Sequence, residues 1–300
     1  MIISASRRTD IPAFYSEWMA RRLKEGSVLV RNPWNFRKVR KVSLVPGEVD
    51  CIVFWTKDAR PMFRYLPDMD ALGHAYYFQW TITPYGRDME RNVPPKDEIL
   101  EGFRGLSRKI GRHRTIWRYD PVIIQGGLSV SWHLEAFSRM CHLLAGYTER
   151  CIFSFVDALP GTARRRKENP PEEVGREDMK AIAEGFSHIA RAAGISLLTC
   201  AEEADFMEDG IPRGACIDGA LAERISGHPV RAGKNRKQRP FCGCAASVDI
   251  GAYSSCPHGC SYCYACGSDR AVSANRSRHD PQSSLLIGAP APLDSFPILS

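Results

Sequence analysis

The sequence contains the continuous apolar run Cys51-Ile52-Val53-Phe54-Trp55, followed at once by the polar residues Thr56-Lys57-Asp58. A strand with one solvent-exposed face alternates apolar and polar residues, whereas a strand of a parallel sheet is covered on both faces and is apolar throughout. The run therefore predicts a buried parallel strand with polar side chains at its carboxyl end. Comparable runs, each ending in polar residues, lie at residues 2–5, 76–82, 115–119, 151–156 and 195–198.

Amphipathic helices are predicted between these strands, because apolar residues recur at helical spacing at residues 15–24, 97–110, 133–144 and 177–193. Strand and helix in repeated alternation favour a parallel sheet with covering helices, that is, an α/β fold. The length and the number of repeats fit a TIM-type (β/α) barrel, complete or partial. No glycine fingerprint of a dinucleotide-binding fold follows the first strand.

The alternation of strands and helices fades after residue 202, where glycine, charge and cysteine become more frequent. We therefore expect three parts. Residues 1–209 form the barrel body, residues 210–266 a cysteine-rich segment that binds a cluster and packs on the barrel, and residues 267–300 a partly disordered tail rich in Ser, Pro and Arg.

The composition is that of a soluble protein, with 44% hydrophobic residues and no apolar run of membrane-spanning length. The amino terminus lacks the features of a signal peptide, so a cytoplasmic location with reduced thiols is expected, without a membrane partner. The net charge of +7 could attract nucleic acid, but no nucleic-acid-binding motif accompanies it. A solvated basic surface is the preferred interpretation.

The most specific motif is Cys256-x3-Cys260-x2-Cys263, with Tyr262 just before the third cysteine. Thiolates are soft ligands that suit iron–sulfur clusters, and an aromatic neighbour would limit the access of water. A zinc knot and a disulfide cluster are the alternatives. Cys266 is either a fourth ligand, which would close a cluster, or a bystander, and the bystander interpretation is favoured because the first three cysteines already form an open-site pattern.

Polar residues at the predicted strand ends form a second group of candidates. Ligands of barrels and open α/β sheets bind at the carboxyl ends of the strands. Arginines beside carboxylates suit a zwitterionic ligand or a charged substrate, although structural ion pairs are the alternative. The candidates for catalysis are Arg8, Asp10, Lys57, Arg118, Asp120, Asp157 and Glu202, and the candidates for cofactor binding are Arg7 and Tyr262.

The remaining cysteines fall into two sets. Cys51, Cys141 and Cys151 lie in apolar runs and are expected in the core. The other set lies in loops or at strand ends, where it could hold an auxiliary iron–sulfur cluster or zinc, or consist of unrelated thiols. That set comprises Cys200, Cys216, Cys242 and Cys244.

Several stretches together resemble the bacterial domain-of-unknown-function family 1848. They are Ser6-Arg7-Arg8-Thr9-Asp10-Ile11-Pro12, Phe54-Trp55-Thr56-Lys57, Trp117-Arg118-Tyr119-Asp120-Pro121, and Asp249-Ile250-Gly251-Ala252-Tyr253 leading into Cys256-Pro257-His258-Gly259-Cys260-Ser261-Tyr262-Cys263-Tyr264-Ala265. The resemblance implies a carboxyl-terminal cysteine cluster similar to that of the radical S-adenosylmethionine (radical SAM) enzymes, and Cys266 lies outside the family pattern.

In the radical SAM enzymes three cysteines hold a 4Fe-4S cluster whose fourth iron binds SAM. Their cluster loop follows the first barrel strand, whereas here it comes late in the chain. The resemblance therefore implies a circularly permuted order in which residues 246–253 supply that strand; the alternative is a cysteine appendage beside a barrel with its own chemistry. The Gly-Gly-Glu motif that grips SAM in many of these enzymes is absent from this sequence.

Three functions remain open at this stage. The first is a radical-SAM-like enzyme acting on a small-molecule or unknown substrate, with an electron donor such as ferredoxin or flavodoxin. The second is an iron–sulfur electron carrier or redox sensor in which Cys266 completes the cluster. The third is a zinc-stabilised nucleic-acid-binding protein, suggested by the basic patches.

Overall fold

The computed structural model describes residues 1–156, 172–235, 238–239 and 241–290. Seven strands in this part of the chain form one sheet in the order β8-β7-β6-β5-β4-β1-β9, and every neighbouring pair is parallel. The strands are β1 (Ile2–Ala5), β4 (Cys51–Thr56), β5 (Tyr76–Thr81), β6 (Thr115–Val122), β7 (Arg150–Phe155), β8 (Ser196–Thr199) and β9 (Ser247–Asp249).

Helices separate most of the sheet strands along the chain, as the apolar periodicity predicts. They are α1 (Ile11–Phe14), α2 (Ser16–Lys24), α3 (Leu66–Ala71), α4 (Lys96–Ile110), α5 (Val130–Leu144), α6 (Arg176–Ala192), α7 (Gly219–Ser226) and α8 (Asp269–Arg276). Short 3-10 helices at Arg60–Tyr65 and Arg112–Arg114 precede α3 and β6. None of the described helices is both long enough and apolar enough to cross a membrane.

The sheet is buried on both faces, which explains why its strands are apolar throughout. All six residues of β4 are buried. Phe54 belongs to the larger core, where it stacks on Phe78 of β5 with ring centroids 4.8 Å apart. Its neighbours Val53 and Trp55 point to the second core, which also contains Ala222 of α7. The apolar run at residues 51–55 therefore forms a parallel strand that is buried on both faces of the sheet, as predicted.

A TIM-type barrel, complete or partial, is predicted from the sequence; the sheet is open in the described chain, so a closed barrel is not shown. Such a barrel closes eight parallel strands through hydrogen bonds between the first and the last. Here seven strands form an open row, with β8 and β9 at its two edges. The parallel α/β class is confirmed.

The late segment of the chain contributes a strand to the same sheet as the early segment. Ile2 and Ser4 of β1 lie in register with Ser247 and Asp249 of β9. The strand expected within residues 246–253 therefore exists, directly before the cysteine loop.

A small antiparallel hairpin, β2 (Ser27–Arg31) and β3 (Val39–Ser43), lies outside the main sheet. Part of the segment expected to be a disordered tail packs against it, since the N–H of Leu29 on β2 donates to the carbonyl of Ser284 at 2.9 Å. The indole nitrogen of Trp18 donates to the carbonyl of Ser283 at 2.9 Å, and Leu285 and Leu286 are buried.

Candidate functional site

A cavity of about 430 Å³ lies at the carboxyl ends of the sheet strands. Three groups of residues line it: the loop after β1, the ends of β4 to β8, and the cysteine-rich segment. Among the lining residues are Arg7, Arg8, Asp10, Trp55, Lys57, Arg118, Asp120, Ser154, Cys200, Cys216, Cys242, Cys244, Cys256, His258, Cys260, Tyr262, Cys263 and Tyr264.

Asp249, at the end of β9, organises the loop after β1. Its carboxylate accepts hydrogen bonds from the hydroxyls of Ser4 (2.9 Å) and Ser6 (2.8 Å) and from the backbone N–H of Arg7 (2.9 Å). The guanidinium of Arg8 lies 3.7 Å away. Asp249 therefore fixes the two arginines at the cavity. Strand periodicity did not single it out, and only its place directly before the cysteine loop pointed to it.

Asp10 joins three parts of the site. It caps α1 by accepting from the N–H of Ala13 at 2.9 Å, and it accepts from the N–H of Lys57 at 2.7 Å. The Nε2 atom of His258, in the cysteine loop, lies 2.8 Å from the Asp10 carboxylate. Asp10 therefore has a demonstrable structural role, and His258, which the sequence analysis missed, connects the cysteine loop to it.

Lys57 belongs to a buried ion-pair network centred on Glu90. The ammonium of Lys57 lies 2.7 Å from Glu90, which also pairs with Lys96 and accepts from the hydroxyls of Thr83 (2.6 Å) and Tyr262. Burial alone would raise the pKa of Glu90, but the two lysine charges outweigh it and hold the pKa at about 2.

Glu90 also pairs with the cysteine loop through the backbone, since it forms an isolated antiparallel bridge with Cys260. The network therefore supports one wall of the cavity beside a predicted cluster ligand. Sequence reasoning missed Glu90 and Lys96, because they lie in the connection after β5 and at the start of α4, and no motif or strand end marked them.

Arg118 and Asp120 form an ion pair at the end of β6, with a nitrogen–oxygen distance of 2.7 Å. Asp120 also accepts a short hydrogen bond from Ser154 on β7. The guanidinium groups of Arg118 and Arg7 both lie over the Trp55 ring, 4.8 and 5.4 Å from its centroid.

Two nitrogen atoms of these arginines are buried without a hydrogen-bond partner within the described residues. They are Nη2 of Arg7 and Nε of Arg118. Buried polar atoms are usually satisfied, so unpaired donors at a cavity mark a place where an anionic or carbonyl group of a ligand can bind.

The other two strand-end candidates differ from this group. Glu202 is buried, accepts from the backbone N–H of Phe155 at 2.9 Å, and is not among the described residues that line the cavity. Its carboxylate therefore anchors the end of β7. Asp157 lies outside the described residues.

Cys256, Cys260 and Cys263 line the cavity together. Gly259 supports the tight loop between the first two, with a φ of 72° that favours glycine. Cys266 is buried, its thiol donates to the carbonyl of Cys256 at 3.5 Å, and it is not among the described residues that line the cavity. This arrangement is compatible with three cavity-facing ligands and a fourth cysteine that contacts the loop outside the described cavity lining.

The second set of four cysteines lines the same cavity. The sulfur atoms of Cys200 and Cys216 are 3.1 Å apart, and the Cys244 sulfur accepts a hydrogen bond from the backbone N–H of Ile217 at 3.4 Å. Within the described residues, no group of three or more His, Cys, Asp or Glu side chains is arranged around a preformed metal position. The thiols are thus gathered in a geometry that would have to adjust to a metal.

The core cysteines behave as predicted. Cys51, Cys141 and Cys151 are all buried in the hydrophobic cores. Burial raises the pKa of the Cys51 and Cys141 thiols to about 12, so both are unreactive at neutral pH.

The chain was compared with known protein families and with curated proteins. The model of a family described as domain of unknown function (DUF1848) matches residues 2–265. None of the curated proteins matches. Because the family match covers most of the 300 residues, the chain belongs to the DUF1848 family.

Proposed function

We propose that the cavity is the active site of an iron–sulfur enzyme similar to the radical SAM enzymes. The observation that carries the proposal is that three cysteines, two arginines and the carboxyl ends of the sheet strands meet at one cavity. Cys256, Cys260 and Cys263 line it together with the arginines Arg7 and Arg118, at the carboxyl ends of a parallel sheet. The donor set fits a 4Fe-4S cluster, because three thiolates in one loop are the soft ligands that such a cluster requires.

When bound, such a cluster supplies one electron to cleave SAM into methionine and a 5′-deoxyadenosyl radical. The side chains of the protein bind SAM and the substrate and orient them. The unpaired nitrogens of Arg7 and Arg118 are suited to a carboxylate of SAM or of substrate, and Asp120 is suited to an ammonium group. These groups take the place of the Gly-Gly-Glu motif that the sequence lacks.

The Glu90 network acts on the other side of the cysteine loop. Tyr262 donates to Glu90, and the Lys57 ammonium lies 5.5 Å from the centre of the Tyr262 ring. This packing fixes Tyr262 within the cysteine loop and limits access of water to the cluster position. The residues are positioning residues in this proposal.

The order of strands supports a circularly permuted relation to radical SAM enzymes. Starting at β9, the sheet runs β9, β1, β4, β5, β6, β7, β8, which is chain order except for the position of β9. The cysteine loop follows β9, the edge strand. Moving the last strand and its loop to the front would place the cluster loop after the first strand of an open, partial barrel.

The electron-carrier alternative requires a fourth protein ligand to close the cluster. Cys266 is the nearest such residue in the sequence, but its thiol contacts the backbone of Cys256 and it is not among the described cavity residues. The enzyme is therefore the better supported function.

The experiment is a SAM-cleavage assay under strictly anaerobic conditions. Protein reconstituted with iron and sulfide is reduced with dithionite, which replaces a donor such as ferredoxin or flavodoxin, and 5′-deoxyadenosine and methionine are quantified. We expect cleavage by the wild type and by Cys141→Ala, a core-cysteine control, and none by the Cys256→Ala/Cys260→Ala/Cys263→Ala variant. Reconstituted protein that holds a cluster but forms no product would contradict the proposal.

A further inference from the structure

We propose that Cys200, Cys216, Cys242 and Cys244 form a closed four-thiolate site for a single zinc ion, which links the two open edges of the sheet. This inference does not depend on the iron–sulfur proposal, because it concerns a separate set of cysteines. It goes beyond the sequence pattern, in which C-x-C and two isolated cysteines allowed an iron–sulfur cluster, zinc or unrelated thiols.

The distance between the sulfur atoms distinguishes a zinc site from an iron–sulfur cluster. The sulfurs of Cys200 and Cys216 are 3.1 Å apart, and Cys242 and Cys244 line the same cavity beside them. Four sulfurs around one tetrahedral zinc, at about 2.3 Å from the metal, are about 3.8 Å from one another. Thiolates on a four-iron cube are farther apart, because each binds a different iron.

The Cys200–Cys216 pair is not a disulfide, since the sulfurs of a disulfide are about 2.05 Å apart. An opening of under about 1 Å converts its spacing to that of a zinc site. The pair therefore already approximates two ligands of one zinc ion, and the thiols of Cys242 and Cys244, which line the same cavity, would have to adjust to complete a tetrahedron.

The backbone holds the three contributing segments together without the metal. The N–H of Gly214 donates to the carbonyl of Thr199 at 2.8 Å, and the N–H of Ala245 donates to the carbonyl of Ile217 at 2.9 Å. A Cβ on Gly243 would lie only 2.9 Å from the Gly214 carbonyl oxygen, so the C-x-C segment approaches its neighbour as closely as glycine permits.

The surroundings suit a thiolate site. All four cysteines are buried, and the N–H of Ile217 donates to the Cys244 sulfur at 3.4 Å. Zinc with four thiolates carries a net charge of −2. Arg118 interacts electrostatically with Cys200 and Cys216, and Arg7 with Cys244, so two cations that line the cavity oppose that charge.

The position of these cysteines at the two edges of the sheet indicates a structural role for the ion. Cys200 follows β8 at one edge of the sheet, and the Cys242–Cys244 segment precedes β9 at the other edge. No strand pair joins these edges within the described chain. A metal bound to both segments therefore fixes the far wall of the cavity, where hydrogen bonds would close a complete barrel.

The test is metal analysis combined with X-ray absorption at the zinc edge, on full-length protein purified anaerobically. We use the Cys256→Ala/Cys260→Ala/Cys263→Ala variant as the main sample, so that metal in the first cysteine set cannot contribute. We expect one zinc per chain with four sulfur ligands at about 2.3 Å. The Cys242→Ala/Cys244→Ala variant should lose it, and Cys141→Ala should retain it.

The outcomes separate this inference from the proposed function. An iron–sulfur cluster in the triple variant would overturn the zinc assignment. So would a single iron ion bound by four sulfur ligands, which is recognised by its red colour. Absence of zinc would do the same. If the Cys242→Ala/Cys244→Ala variant does not fold, the triple variant still decides, because its zinc content and ligand set are measured on intact second-site cysteines. Zinc present without SAM cleavage by the wild type would contradict only the proposed function.

Discussion

Glu90 is a buried carboxylate between two lysines beside the cysteine loop. Breaking a buried ion pair by removing one partner leaves an uncompensated charge, which costs about 3–5 kcal/mol. We therefore expect Glu90→Gln to lower the free energy of unfolding by about 3 kcal/mol or more, measured by urea denaturation. Glu98→Gln is the matched control. Its carboxylate is half exposed and pairs with Arg60 at 2.7 Å, so its loss should cost under about 1 kcal/mol.

The lowered pKa of Glu90 predicts that the free energy of unfolding depends on pH. The pKa of Glu90 is lowered from 4.5 to about 2 in the folded protein, as the lysine charges outweigh burial. A lowered carboxyl pKa gives stability that is complete above the unfolded pKa and lost as pH falls to the folded pKa. The wild type should therefore lose on the order of 3 kcal/mol between pH 4.5 and 2 from this group. A Glu90→Gln variant with an equally steep loss over that window would contradict the assignment.

At the scale of elements, the junction of β1 and β9 determines the geometry of the arginine loop. A Cβ on Gly251 would lie 2.6 Å from the Cβ of Ser6, whose hydroxyl donates to Asp249. Gly251→Ala must displace the β1 loop, and we expect a loss of about 1–3 kcal/mol in unfolding free energy. Gly47→Ala is the control, since a Cβ there meets nothing within 4 Å. Equal stability of the two variants would show that this junction is not tightly packed.

The elements themselves were largely predictable from apolar periodicity. The run at residues 51–55 became β4, and the helix predicted at residues 97–110 became α4 at Lys96–Ile110. What periodicity could not supply was the pairing between distant elements. The open sheet depends on which strands occupy the edges, and that is decided by contacts between residues far apart in the chain.

At the scale of the whole molecule, the net charge of +7 provides a test of the nucleic-acid alternative. Each phosphate contact releases counterions, so charge-driven binding weakens steeply with salt. We expect only weak binding of single- or double-stranded oligonucleotides at low salt, lost at physiological salt, as measured by fluorescence anisotropy. A tight complex that survives physiological salt would favour the nucleic-acid-binding protein.

The candidate site was predictable to the extent that strand ends and cysteine motifs mark it. Lys57, Arg118 and the first three cysteines of the cluster loop do line one cavity. The supporting residues Glu90 and His258 could not be identified in the same way. Their roles arise from burial and from partners distant in the chain, and neither leaves a local pattern.

Three cavity-facing cysteines are proposed to hold a cluster with one open iron. The most direct measurement is the EPR spectrum of the reduced, anaerobically reconstituted protein before and after addition of SAM. We predict that SAM changes the cluster signal in the wild type and equally in Cys266→Ala, because the proposed open cluster has only three protein ligands and Cys266 is not one of them. An unchanged wild-type signal on addition of SAM, with loss of the cluster in Cys266→Ala, would contradict the claim and identify a closed electron-transfer cluster.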